Sequence, residues 1–310
     1  MGMKTQKNQK KLYLYGVGAQ AEVMNYYRTQ GVQDAEKQIE QALSDWRGSS
    51  QYFQEKIKTE QGEPEKIKTG EIPEEFKDKT SSIANDPLFR RTFSILPTEF
   101  KIVEIDKLVA GQRDVNLDYV EYLKTTLPAK PTFADLLDFC LLPSRAEENI
   151  SHLQNAGNAI TFSTPNPDFR FLGGYRRELR KDDALECLNG GVPANGILLF
   201  VGFGGNTVNV LSVGKRVILN NGFHRVYALR DMGVQEIPVA VQKVTNPDLE
   251  LGSTLQGLPI KYLINYPRPS LLKDFFDKKL TREVIVKNRL KTVRVAWGVE
   301  ESFVPVHNDE

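Results

Sequence analysis

A glycine, a histidine and an arginine within four residues, Gly222-Phe-His-Arg225, are the groups in this chain best suited to gripping an anion. Gly222 lets a ligand approach the backbone. Arg225 offers a fork of donors that matches phosphate oxygens. His224 adds a donor, and a cation when protonated. The flanking residues position them. Val217, Ile218 and Leu219 form an apolar run of strand length, and Asn220-Asn221-Gly222 is turn chemistry. Val226, Leu229 and Met232 recur at helical spacing, Gly233 stops that helix, and Ile237-Pro-Val-Ala-Val241 returns as a strand. The His-Arg pair therefore falls where a strand hands over to a helix. Main-chain N–H groups and the positive end of the helix dipole point outward there, which is a phosphate cradle in outline.

This stretch resembles the core motif of the ParB/sulfiredoxin-like superfamily. Its members place a Gly-x-(His or Arg)-Arg turn between a strand and a helix and hold nucleotide phosphates with it. Upstream, the stretch from Phe100 to Arg113 (FKIVEIDKLVAGQR) is similar to the family's opening strand and Gln-bearing loop. Tyr119-Val-Glu-Tyr-Leu-Lys124 is similar to its first helix. The likeness runs from about Phe100 to Val244, with a long insertion between the two matched pieces. It implies ATP or CTP, with Mg²⁺, held by Gly222, His224, Arg225, Gln112 and Arg113. Arg176 and Arg177, in a loop rich in Gly and aromatics, are further candidates for phosphate contact.

The departures narrow the chemistry. Phe223 stands where sulfiredoxins carry their catalytic Cys, so no nucleophile is present there. Partitioning proteins of the family read Gly-Glu-Arg-Arg, and Phe223 and His224 replace the second and third of those residues. The family's free-serine kinases carry an acidic base in the first loop, where this chain has Ala110-Gly-Gln-Arg113. Gln is no base. A phosphotransferase or hydrolase would have to use Glu104, Asp106 or Asp114 instead. The glycines of Gly16-Val-Gly-Ala-Gln-Ala21 lack the second strand and acidic residue of a dinucleotide fingerprint and read as a tight packing contact.

Composition sets the outer bounds. With 310 residues, 26% charged and 40% hydrophobic, the chain has an ordinary globular make-up, and a net charge of +1 gives no global pull on nucleic acid. Two cysteines outside any CxxC and three histidines argue against structural zinc. Cys140 reads as a small buried hydrophobe. The Leu12–Val17 run is too short for a membrane span, and cytoplasm is the expected compartment.

Along the chain, residues 1–60 read as a helical arm, with Ile39, Leu43 and Trp46 on one stripe. Residues 61–85 have linker composition, rich in Glu, Lys and Pro. A core spans 86–245 and opens at the Asp86-Pro87 cap. Ser144 to Gln154 reads as a polar helix, Thr164 to Arg177 as a loop, and Ile197 to Phe203 as a buried strand. Residues 246–310 read as a basic helical extension. Leu271–Lys279 forms its first helix, and Val286, Leu290, Val293 and Trp297 stripe a second. From Lys261 to Arg294 there are ten basic residues and three acidic ones.

The expectation is thus an α+β, ParB/sulfiredoxin-like core with an N-terminal helical arm and a C-terminal helical extension. The leading role is a nucleotide-responsive regulator that signals to a protein partner through its helices, possible as a homodimer. A phosphotransferase or nucleotide hydrolase, a scaffold that has lost its ligand, and a DNA-binding partitioning-type protein are the alternatives.

Overall fold

The computed structural model describes residues 8–142, 152–166, 169–179, 194–255 and 257–304. The chain opens with β1 (Asn8–Leu14), α1 (Gln20–Thr29) and the long α2 (Ala35–Thr59). Next come β2 (Thr69–Glu71), α3 (Lys77–Asn85), α4 (Pro87–Thr92) and β3 (Thr98–Glu104). The short β4 (Val109–Ala110) and β5 (Asp114–Asn116) precede α5 (Leu117–Thr125) and α6 (Phe133–Leu141). Four strands follow: β6 (His152–Ala156), β7 (Ala159–Thr164), β8 (Phe169–Glu178) and β9 (Asn195–Phe203). Then come β10 (Asn209–Val213), β11 (Arg216–Asn221), α7 (Phe223–Asp231) and β12 (Glu236–Val244). The last elements are α8 (Pro247–Glu250), β13 (Thr254–Leu255), β14 (Leu258–Pro259), α9 (Ile260–Asn265), β15 (Thr281–Lys287) and β16 (Lys291–Ala296). The architecture is α+β, with several separate sheets.

The chain divides into two compact units. One is Met1–Arg145 with Gly205–Asn288, and the other is Ala146–Gly204 with Arg289–Glu310. In the first, a six-stranded mixed sheet runs β2-β3-β12-β10-β11-β4. Its centre is apolar because β10, β11 and β12 are almost continuous runs of Val, Ile, Leu and Ala, as strands covered on both faces must be. Val103, Val210, Leu219, Val239 and the α7 residues Val226 and Leu229 meet in one core. A second sheet, β15-β1-β5, packs its Tyr13, Val284 and Val286, with Tyr15 just past β1, against α1 and α2.

Local signals start the helices. Asp86 Oδ1 accepts the N–H groups of Leu88 (2.8 Å) and Phe89 (3.2 Å), with Pro87 in the first turn of α4. Thr132 and Asp135 close a capping box on α6. Asn116 caps α5 through the N–H of Tyr119 at 3.1 Å.

Several expectations are corrected. Among its described residues the C-terminal extension holds only the short helices α8 and α9, and the two helices expected after them are absent. In place of the first there is a 3₁₀ turn, Leu272–Phe276, and in place of the second are the strands β15 and β16. Val284 and Val286 face inward while Ile285 and Lys287 face out, a period of two. All seven residues of β15 pair with β1. Residues 61–85 are no linker: β2 pairs with β3, and Pro64, Ile72, Thr80 and Ile83 are buried. The stripe of α2 is docked, with Ile39 buried and Leu43 and Trp46 packed on the same cluster. Thr164 to Arg177 contains most of β8 rather than only loop, and no residue of β9 is buried. The polar helix expected from Ser144 falls mostly outside the described residues, and its end, His152–Gln154, is strand β6. Cys187 also falls outside them. Among the described residues, no helix is long and apolar enough to cross a membrane.

The end of α2, where this segment begins, is anchored by a buried ion cluster. Arg268 is 0% exposed, as is Asp274. The guanidinium donates to Asp274 Oδ1 at 2.7 Å and to Glu60 Oε2 at 2.8 Å, and it also bonds Asp274 Oδ2. Burial alone would raise the pKa of Glu60, but the bonds from Arg268 and Lys273 outweigh it and hold it at about 2. Removing the arginine strands a buried carboxylate. Arg268→Ala is therefore expected to lower the unfolding free energy by about 3–5 kcal/mol in urea titration. A loss under about 1 kcal/mol would mean the cluster is no anchor.

Candidate functional site

The Gly-Phe-His-Arg turn lies where β11 ends and α7 begins, as its sequence implies. Gly222 adopts φ +92°, left-handed geometry suited to glycine. A Cβ there would meet Val208 Cγ2 at 2.7 Å. The close approach that Gly222 permits is therefore made by the protein's own Val208. The turn is tied down on both sides. Asn221 Oδ1 accepts the N–H of Gly222 at 2.9 Å, and Asn221 Nδ2 donates to the carbonyls of Gly205 (3.1 Å) and Thr207 (3.3 Å). Phe223, at the position of the sulfiredoxin Cys, is buried edge-on to Phe275 with ring centroids 5.0 Å apart.

Arg225 reaches the end of α6. Its Nη1 donates to the carbonyl of Phe139 at 2.9 Å. The next two carbonyls of that helix are also taken: Cys140 O accepts Val208 N–H at 2.7 Å, and Leu141 O accepts Thr207 Oγ1 at 3.2 Å. These belong to the last turn of α6, whose carbonyls have no partner within the helix and carry its partial negative charge. A guanidinium is well matched to that place. The electronegative group that Arg225 holds is thus the C-terminus of α6.

His224 serves α5 in the same way. Its Nε2 accepts the backbone N–H of Asn116 at 3.1 Å, the residue that caps α5. Tyr119 lies edge-on to the imidazole at 5.4 Å between centroids. An Nε2 that accepts carries no proton, so the ring is neutral with its hydrogen on Nδ1. Burial lowers its pKa to about 4, against the opposing pull of Asp114 and with a smaller push from Lys11. The expected roles of donor and cation are corrected: at neutral pH this imidazole is an uncharged acceptor.

The remaining candidates have other partners. Arg113 is ion-paired with Glu22 of α1, its guanidinium against Gly18, so it serves the β1–α1 loop. That loop is the tight glycine contact its sequence suggests, since a Cβ on Gly16 would meet Ser49 O at 2.6 Å. Gln112 is half-buried in the loop before β5. Arg176 and Arg177 lie on β8, in the second unit. Of the candidate bases, Asp106 is paired with Arg230 at 2.7 Å, and Glu104 with Lys107 at 3.2 Å. Asp114 takes Lys11 Nζ at 2.9 Å and the Tyr26 hydroxyl at 2.7 Å. Cys140 is buried and its thiol pushed up to about 12, which leaves it inert. Sequence reasoning missed Phe139 and Asn116, the two groups that Arg225 and His224 hold. The Asn before Leu117 was visible as a cap signal, but its distant histidine partner was not.

Comparison of the chain with protein-family models, with curated proteins and with solved structures found no match.

The neutral imidazole makes stability depend on pH. Unfolded, a histidine titrates near 6.5; folded, His224 titrates near 4. Between those values the unfolded chain binds more protons. The contribution is therefore complete above about pH 6.5 and is lost as pH falls towards 4. With the partial exposure of the residue discounted, the loss is about 1–2 kcal/mol. His224→Gln, which keeps an acceptor but cannot titrate, should lose that much less than the parent between pH 7.5 and 4.5 in urea unfolding. Equal losses in both proteins would show that His224 does not carry the dependence.

Proposed function

We propose that this protein is a binding and assembly protein, a scaffold or adaptor, built on a ParB/sulfiredoxin-like core whose Gly-Phe-His-Arg turn has become an internal brace. The observation that carries this is the 2.9 Å bond from Arg225 Nη1 to the Phe139 carbonyl. The residue expected to clamp a phosphate is occupied with a helix end of the same chain. The neutral His224 on Asn116 supports the same reading. The ParB/sulfiredoxin-like core is supported by the order β3, Gln112 loop, α5, β11, turn, α7, β12, which follows the order of the family's motifs.

The other readings fare less well. The DNA-binding one rested on basic C-terminal helices. The two helices expected there are instead a 3₁₀ turn and the strands β15 and β16, and Arg268, Lys273 and Arg282 are ion-paired with Glu60, Asp274 and Asp45. The enzyme reading needs a free carboxylate as base, and Glu104, Asp106 and Asp114 are all paired.

The test is thermal unfolding of the full chain with millimolar ATP or CTP, with and without Mg²⁺. A ligand at 100 times its Kd adds about 2.7 kcal/mol of stability, a shift of several degrees. No shift is expected. Arg225→Ala should itself lower stability by about 1–2 kcal/mol, because a half-buried helix-end carbonyl loses its donor. A nucleotide-dependent rise in Tm that Arg225→Ala removes would restore the nucleotide-responsive reading and refute the brace.

A further inference from the structure

The second unit contains a ribbon, β8 paired with β9, that carries an unusual load of exposed apolar surface. Phe171, Tyr175, Ile197, Leu199 and Phe200 are each more than 40% exposed, and Ile197 reaches 79%. These groups lie on both faces. Alternation puts Ile197, Leu199 and Val201 of β9 on one face, and Leu198 and Phe200 on the other. Tyr175 stacks on Phe200 across the ribbon at 5.7 Å. Two strands alone are marginal in water, and among the described residues no strand pairs with the outer edge of either one.

The two edges differ in chemistry. All the charged residues of the ribbon (Arg170, Arg176, Arg177 and Glu178) belong to β8. Charged side chains on an edge strand are a common device against unwanted pairing, and β8 also has a bulge between Phe171 and Gly173. The nine residues of β9, NGILLFVGF, contain no charge and no proline. Among the described residues nothing pairs with this edge, and its own sequence carries neither charge nor proline to block pairing. A partner seated there must be extended, neutral and apolar on both faces, and β9 itself meets all three requirements. When a strand pairs antiparallel with its own copy about a two-fold axis perpendicular to the sheet, each face continues into the like face. Ile197, Leu199 and Val201 then meet their counterparts, and so do Leu198 and Phe200. Pairing through β8 would instead bring the arginines of two copies together.

We infer that two copies of this chain associate edge to edge through β9, forming a continuous four-stranded antiparallel sheet β8-β9-β9-β8. The inference is independent of the brace at Arg225, since it uses only residues of the second unit. The test is sedimentation equilibrium of the full chain. The parent should sediment at twice the single-chain mass of 35.1 kDa. Ile197→Lys with Leu199→Lys, which sets like charges against each other across the dyad, should return it to the single-chain mass. Ile197→Thr with Leu199→Thr, neutral and strand-forming, should leave it double. A parent that stays single up to about 100 μM, where an interface of micromolar affinity is populated, would overturn the inference. A lysine variant that remains double would do the same. A second arm covers loss of fold in the lysine variant. Ile197→Cys, Leu199→Cys and Val201→Cys, each alone in a Cys187→Ser chain, should be linked between copies by a short bis-maleimide at the position nearest the dyad. No linkage at any of the three would also overturn it.

Discussion

The imidazole of His224 accepts a backbone N–H from the cap of α5 while its neighbour Arg225 donates to the last turn of α6. Both side chains leave from the first turn of α7, so one short segment ties three helices together. The arrangement works because the two residues have opposite polarity. A helix start offers N–H groups and needs an acceptor; a helix end offers carbonyls and needs a donor. A neutral imidazole supplies the first and a guanidinium the second. Gly222 and Asn221 fix the angle at which α7 leaves the sheet and so aim both side chains. Val208 fills the space above the glycine and extends the same link, since its N–H caps α6 and its carbonyl receives Ala240 of β12.

The same residue types that would make a ligand cradle make this brace, which bears on what was legible. The strand, turn, helix and strand from Val217 to Val241 were readable because each is marked locally: an apolar run, Asn-Asn-Gly, helical spacing, and Ile-Pro-Val. Which electronegative group Arg225 grips was not. Phe139 lies 86 residues away, and its carbonyl, common to every residue type, leaves no mark in a sequence. Asn116 is 108 residues from His224 and donates through its backbone as well.

The C-terminal misreading has a different cause. Val286, Leu290, Val293 and Trp297 fall at spacings that fit a helix, while Val284 and Val286 alternate only briefly before β15 ends. The deciding interaction is the pairing of Asn8–Leu14 with Thr281–Lys287, between opposite ends of the chain. Residues 61–85 misled for a related reason. Their composition is that of a mobile segment, yet Glu65 takes Arg216 Nε at 2.6 Å and the N–H of Gly62 reaches Pro267 O at 3.2 Å. Charges that read as solvated are ordered by partners far along the chain, and burial makes those partners count.

The brace depends on His224 being an acceptor, and its tautomer can be observed directly. Two-bond ¹H–¹⁵N correlation spectra of the folded chain would resolve it, helped by there being only three histidines to assign. The expected result for His224 is a neutral ring protonated at Nδ1 with a bare Nε2, unchanged from pH 8 until the pH approaches its pKa of about 4. A ring that carries its proton on Nε2, or that titrates near 6.5 as a solvated histidine does, would contradict the brace and return the turn to solvent and to ligands.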